Sequence, residues 1–125
     1  MTIEIPEKCW KEFCDRLDSR RESMMDIRLQ SSGDMQVVAQ DVPLQSMVFD
    51  EKSDPCNNTI VIGFGLPGER PAQHRVIEPS RLILRRESGG DHFNLLEMPA
   101  ESGMTVIIFR PGISPALLNE LPISR

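Results

Sequence analysis

The stretch from Ser80 to Arg110 alternates strand and turn with little room for another reading. Arg81–Glu87 is extended, with the apolar run Leu82-Ile-Leu84 between charged residues. Ser88-Gly-Gly-Asp91 is a turn, and Phe93–Met98 is extended again. Pro99–Gly103 is a second turn, and Thr105–Phe109 is a third apolar strand. Short apolar runs broken by Gly, Pro, Asp and Ser at these spacings predict an antiparallel meander. Thr59-Ile-Val-Ile62 and Val106-Ile-Ile-Phe109 are apolar at successive positions, so both of their faces carry hydrophobic side chains. One helix cannot cover two faces. A barrel-like curl, the carboxyl-terminal tail or a second copy of the chain must do the rest.

The helix that could cover one face lies at the amino terminus. Trp10, Phe13, Cys14 and Leu17 recur at i, i+3, i+4 and i+7, a single apolar stripe predicting a helix from Pro6 to about residue 21. Pro6 suits its first position, and Glu12 with Arg16 forms an i, i+4 pair on the polar side. Burying Trp10, Phe13 and Leu17 is worth roughly 2 kcal/mol each. From Met25 the period becomes two, over Met25, Ile27 and Leu29. Ser31–Asp34 is a turn, and Met35–Gln40 is the return strand. Pro43 interrupts it, Gln45–Phe49 is a further short strand, and Asp50–Asn58 is a polar loop. Gly63–Ala72 is a Gly/Pro loop and His74–Ile77 a short strand. Beyond Pro111, Ser114 caps a short helix with Pro115 at its first turn and Leu117, Leu118 and Leu121 on one side.

The fold class is therefore α+β. A curved, mainly antiparallel sheet of about seven strands carries one amino-terminal amphipathic helix and a short carboxyl-terminal helical tail. At 125 residues the chain is read as one domain over residues 1–110, with residues 111–125 as a tail. Nineteen acidic against 14 basic residues leave a net charge of −5, which disfavours a nucleic-acid backbone as partner. No apolar run approaches the roughly 20 residues of a membrane helix, and Met1–Pro6 has no secretory pattern. Three irregularly spaced cysteines read as free thiols of a cytoplasmic protein.

Chemistry-bearing groups are sparse. Gly63-Phe-Gly-Leu-Pro-Gly68 matches G-x-G-x-x-G, but Pro67 and Pro71 prevent the helix that would hold a pyrophosphate, so a strand end and turn is expected. Cys9, Cys14, Cys56, His74 and His92 show no metal-ligand spacing, and neither a metal nor a cofactor is implied. Cys9 and Cys14 lie five apart and face different ways, with Cys14 on the core stripe. Cys56 could act as a nucleophile only if His74 stood beside it. Asp50, Glu51 and Asp54 lack the ordered spacing of a calcium loop. Arg81, Arg85 and Arg86, with Arg75 nearby, form the one basic cluster. It is either an anion-contacting stripe or strand-edge protection paired with carboxylates.

Several segments, in order, resemble a family of small bacterial proteins catalogued as domain of unknown function 5335. They are Trp10-x-x-Phe13-x-Asp15-Arg16-Leu17; Val38–Asp54 with Pro43-Leu44 and Phe49-Asp50; His74-Arg-Val-Ile-Glu-Pro79-Ser-Arg-Leu82; and Gly103-x-x-x-Ile107-x-Phe109-Arg110. The resemblance spans about residues 5–110. It implies one α+β domain with a leading helix, and no activity. The Gly63–Ala72 loop is longer than in many members, and the tail after Pro111 is additional. His74 and Asp50 are the polar positions it singles out, with Asp54 and Arg75 near them. The residues thus point to a non-catalytic domain that binds a protein partner or a second copy of itself, as a homodimer. The competing class is a small-ligand protein or enzyme using a concavity near His74, Asp50 and the Gly63–Ala72 loop.

Overall fold

The computed structural model describes residues 2–19, 23–50, 58–66, 68–86 and 90–121. Eight strands form one antiparallel sheet: β1 (Thr2–Ile5), β2 (Met24–Ser31), β3 (Asp34–Asp50), β4 (Thr59–Phe64), β5 (Ala72–Ile77), β6 (Leu82–Arg86), β7 (Phe93–Ala100) and β8 (Gly103–Ile113). Their order in the sheet is β1-β6-β7-β8-β2-β3-β4-β5. The helix α1 (Trp10–Asp18) follows a 3-10 turn at Glu7–Cys9, and a second 3-10 turn at Pro115–Leu118 sits in the tail. The α+β class with a single leading helix is the observed architecture.

The expected meander is β6-β7-β8. Its second turn is tighter than the letters suggest, because Pro99 and Ala100 still pair with Met104 and Gly103, leaving Glu101-Ser102 as the loop. Two further differences have clear causes. Pro6 precedes the helix rather than starting it; its carbonyl accepts from Cys9 N at 2.8 Å in the 3-10 turn. At the other end, the Ser19 hydroxyl donates to the Arg16 carbonyl at 2.6 Å in the last described turn. The strand β1 has no counterpart in the expected set. Four residues with Ile3 and Ile5 buried on one face are too short for a periodicity reading.

Pro43 does not interrupt β3, which runs unbroken from Asp34 to Asp50. The reason is a change of partner. Pro43 is the last residue of β3 opposite β2, where it faces Met24, and pairing with β4 begins at Leu44. A missing N–H is tolerated at such a junction. On either side Leu44 N donates to Ser23 O at 2.9 Å, and the Pro43 carbonyl accepts from Gly65 N at 3.2 Å. One long strand thus belongs first to a half-sheet with β2 and then to a half-sheet with β4 and β5.

The two halves curl toward each other. Flat strands four places apart would stand roughly 19 Å from one another, yet His74 on β5 reaches Thr105 on β8 at 3.0 Å. Ser80 N, just after β5, donates to the Pro99 carbonyl of β7 at 2.8 Å. Between the halves lies one core, holding Ile27, Leu84, Leu96 and Ile107 from one side and Met47, Ile60, Ile62 and Val76 from the other. Phe13, Cys14 and Leu17 of α1 close it, together with Leu118 and Leu121 of the tail. α1 packs chiefly on β3. Trp10 is 3% exposed, sets its ring edge-on to Phe49 with centroids 5.8 Å apart, and donates from Nε1 to Ile5 O at 2.8 Å. Asp18 accepts from Met47 N at 2.8 Å, and Arg16 Nη1 donates to Leu117 O and Asn119 O at 2.7 and 2.6 Å. One helix therefore fastens both the sheet and the tail.

The tail and the curl together cover the inner face. On the outer face, Val106 stands opposite Arg28 and Glu97, and Ile108 opposite Asp26 and Leu95. These apolar side chains stay half-buried in rows shared with long charged ones. Charged stems lying along apolar surface are a usual way to finish such a face.

Trp10→Ala removes the ring that joins α1 to Phe49 and leaves a large void. A loss of about 3–5 kcal/mol in chemical denaturation is expected. A loss below about 1 kcal/mol would mean that α1 is not anchored through this side chain.

Candidate functional site

His74 lies at the mouth of the curl. It is opposite Ile62, which is opposite Met47, and these two are core residues. Strand alternation therefore turns His74 inward. Its Nε2 meets the hydroxyl of Thr105, a residue 2% exposed on the central strand. Burial lowers the imidazole pKa below its ordinary 6.5, favouring the neutral ring. The ring is thus a polar clasp between half-sheets.

Asp50 does not join it. Asp50 is opposite Thr59, which is opposite Ile77, and Ile77 is exposed on the outer face. Asp50 and His74 therefore stand on opposite faces of one half-sheet. Arg75 also points outward, in a row with Val48 and Val61. Asp54, Glu51 and Cys56 lie outside the described residues. Two concavities lie elsewhere. One of about 580 Å³ lies over the polar side of α1 between Lys8, Lys11, Asp15 and Arg16. One of about 250 Å³ is bordered by Ile77, Glu78, Glu101 and Ser102.

The arginines separate by face. Arg81 donates from Nε and Nη2 to Glu4 at 2.8 and 2.5 Å. Arg85 pairs with Glu97 and reaches Thr2 Oγ1 at 3.2 Å. These two follow the edge-and-pairing reading. Arg86 turns the other way and stacks its guanidinium over Phe93, 4.8 Å from the ring centroid. The three do not form one anion-binding stripe. Cys9 and Cys14 are both buried thiols, and desolvation first, then the charges of Asp15 and Asp18, push Cys14 up to about 12. A thiol so held is packing, not a nucleophile. Among the described residues, no three His, Cys, Asp or Glu side chains converge as a metal site would need, and no helix is long and apolar enough to cross a membrane.

Gly63 has a local explanation. A Cβ there would stand 2.3 Å from Ser46 Oγ, across the β3–β4 ladder, so the first glycine of G-x-G-x-x-G makes room for that hydroxyl in its present rotamer. Gln45 Nε2 then donates to Gly65 O and Leu66 O at 2.8 and 3.1 Å, shaping the loop that follows. The chain returns as β5, and no helix follows among the described residues.

One polar cluster escaped the sequence reading. Asp26, 5% exposed, accepts both Arg110 Nη1 and Nη2, at 3.0 and 2.9 Å, and Asp41 N at 2.7 Å. Arg110 Nη2 also reaches Asp41 Oδ1 at 2.9 Å. Asp41 has φ of 56°, a conformation Asp tolerates. It sits in the bulge between Met25↔Val42 and Ile27↔Ala39. The hydrogen bonds from Arg110 hold the Asp26 carboxyl down to about 2, with the Asp41 N–H helping and burial opposing. The arrangement pins the bend in β3. No spacing rule links Asp26, Asp41 and Arg110 in a sequence.

The open backbone of β3 is the other feature of note. Among the described residues, Asp34–Gln40 runs beside β2 alone, while β4 pairs only from Leu44. The Ser32-Gly33 hairpin, with φ of 51° and 83°, has the signature of a type I′ turn. From the paired Ser31 and Asp34, hydrogen-bonded and outward-facing residues alternate. Asp34 and Gln36 bond to β2, while Met35 and Val37 direct their N–H and C=O groups to the open side. Met35 and Val37 are 52% and 54% exposed.

A scan against protein-family models, a search of curated proteins and a search of solved structures return no match. The chemistry available is therefore that of the residues themselves.

Two pH effects follow, with separate windows. The folded chain disfavours protonated His74, so stability falls as pH drops from about 6.5. Thermal melts of His74→Gln between pH 7 and 5 should show a flatter dependence than wild type; an equal slope would remove His74 as the responsible group. Asp26 is depressed, so its stabilising effect is present above about pH 4 and is lost as pH falls through about 2. Asp26→Asn should cost about 2 kcal/mol at pH 7. The gap from wild type should close toward pH 2, and a gap constant with pH would contradict the charged role.

Proposed function

We propose that this protein is a non-catalytic interaction module that binds an extended protein segment along the open edge of β3. The observation that carries this reading is the contrast between its sheet edges. The edge β1 is four residues long and carries Glu4. The edge β5 carries Arg75 and is followed closely by Pro79, with Pro71 before it. Both are blunted in the ways that natural sheets use against unwanted pairing. Met35-Gln-Val-Val-Ala-Gln40 has no charge and no proline. A strand added there would gain main-chain hydrogen bonds from Met35 and Val37, and side-chain contact with both.

The ligand or enzyme reading draws less support. Its central residue, His74, is bonded to Thr105, and Asp50 faces away from it. The resemblance to family 5335 implies a single α+β domain and points to no particular activity, which is compatible with an interaction role.

Val37→Pro offers a selective test. Val37 N–H points away from β2, so its loss spares the ladder but blocks strand addition. Peptides selected from a random display library on the wild-type chain should lose binding at least tenfold to Val37→Pro, whose melting curve should stay near that of wild type. Selected peptides that bind both proteins equally, or a library that yields no binder, would contradict the proposal.

A further inference from the structure

We infer that the segment added to this edge is the same segment of a second copy, making an antiparallel two-fold dimer through Met35–Val37. The inference rests on the interaction reading above and assigns it a partner. The regular part of the edge ends at the irregularity between Arg28↔Val37 and Ile27↔Ala39, which leaves Val38 as the extra residue. A two-fold axis through Gln36 uses only the regular part. Met35 of each copy then faces Val37 of the other, and both carry the outward N–H and C=O groups that a narrow antiparallel pair requires.

The side chains fit the same register. The exposed Met35 and Val37 lie on one face, so the axis sets two apolar Met–Val pairs side by side. Gln36 meets Gln36, and two amides can donate to each other. Asp34 falls opposite Val38, so no carboxylate confronts its copy. Asp41 lies beyond the pairing and is bonded to Arg110. A strand rich in either charge would gain nothing along this neutral run. The same neutral run is its own complement. The axis is closed, so pairing stops at two.

Sedimentation of the full chain from about 10 µM to about 1 mM should show mass rising from 14.1 kDa toward twice that value and no further. Val37→Pro and Val37→Lys should both remain monomeric with unchanged circular dichroism. In a Cys56→Ser background, Gln36→Cys should form a disulfide-linked dimer under mild oxidation, since Cys9 and Cys14 are buried. A wild-type chain monomeric throughout, a dimer indifferent to both Val37 variants, or larger assemblies would overturn the inference. If selected peptides still bind in a Val37-dependent way while the chain stays monomeric, the self-pairing fails and the edge reading stands. If neither responds to Val37, both fail.

Discussion

The Asp26 carboxylate at the bend of β3 is the contact on which the shape of this protein depends. A 17-residue strand cannot serve two half-sheets unless it turns between them. It turns where Asp41 enters a left-handed conformation. That conformation leaves an amide without a ladder partner, and Asp26 accepts it at 2.7 Å. Arg110 answers the charge of Asp26 with two hydrogen bonds and reaches Asp41 with the second of its nitrogens. Three strands are joined at one point, since Asp26 is on β2, Asp41 on β3 and Arg110 on β8. A nearly buried carboxylate is stabilising only when it is so fully answered.

The rest of the architecture follows from that turn. Once β3 leaves β2, the half-sheet of β4 and β5 swings over the core, and His74 comes within 3.0 Å of Thr105. The helix then has two surfaces to hold. Asp18 takes an amide of β3, while Arg16 takes two carbonyls of the tail. The same turn has a second consequence. Because the second half-sheet begins only at Leu44, the first part of β3 keeps an open side. The bend that completes the core is also what leaves Met35 and Val37 facing outward, with backbone that no other described strand pairs. Fold and candidate binding surface are two effects of one constraint.

Much of this was legible in the residues. The stripe Trp10, Phe13, Cys14, Leu17 and the meander from Leu82 to Phe109 announce themselves by period, because each buries one face of a regular element. Ser114 also caps the tail turn as its side chain suggests, accepting from Ala116 N at 3.2 Å. Pro43 misled for a physical reason. Its effect depends on whether a neighbour needs its N–H, and that is a property of the sheet order. His74 and Asp50 could be picked out as polar residues near apolar strands, but the side each faces depends on register with β4. The cluster of Asp26, Asp41 and Arg110 is invisible for the same reason, as its members are brought together by a bulge. The neutral run Met35–Gln40 was readable as a strand, though nothing in it says that one of its sides has no neighbouring strand among the described residues.

Backbone amide exchange along β3 reads the open edge residue by residue. In a dilute, monomeric sample, Gln36 bonds to β2 and should exchange slowly, while Met35 and Val37 should exchange at rates close to those of an unstructured chain. Alternation of slow and fast amides across three consecutive residues is the result the open edge predicts. If Met35 and Val37 are protected as strongly as Gln36 under those conditions, the edge is already occupied within the chain. The binding surface described here would then not exist.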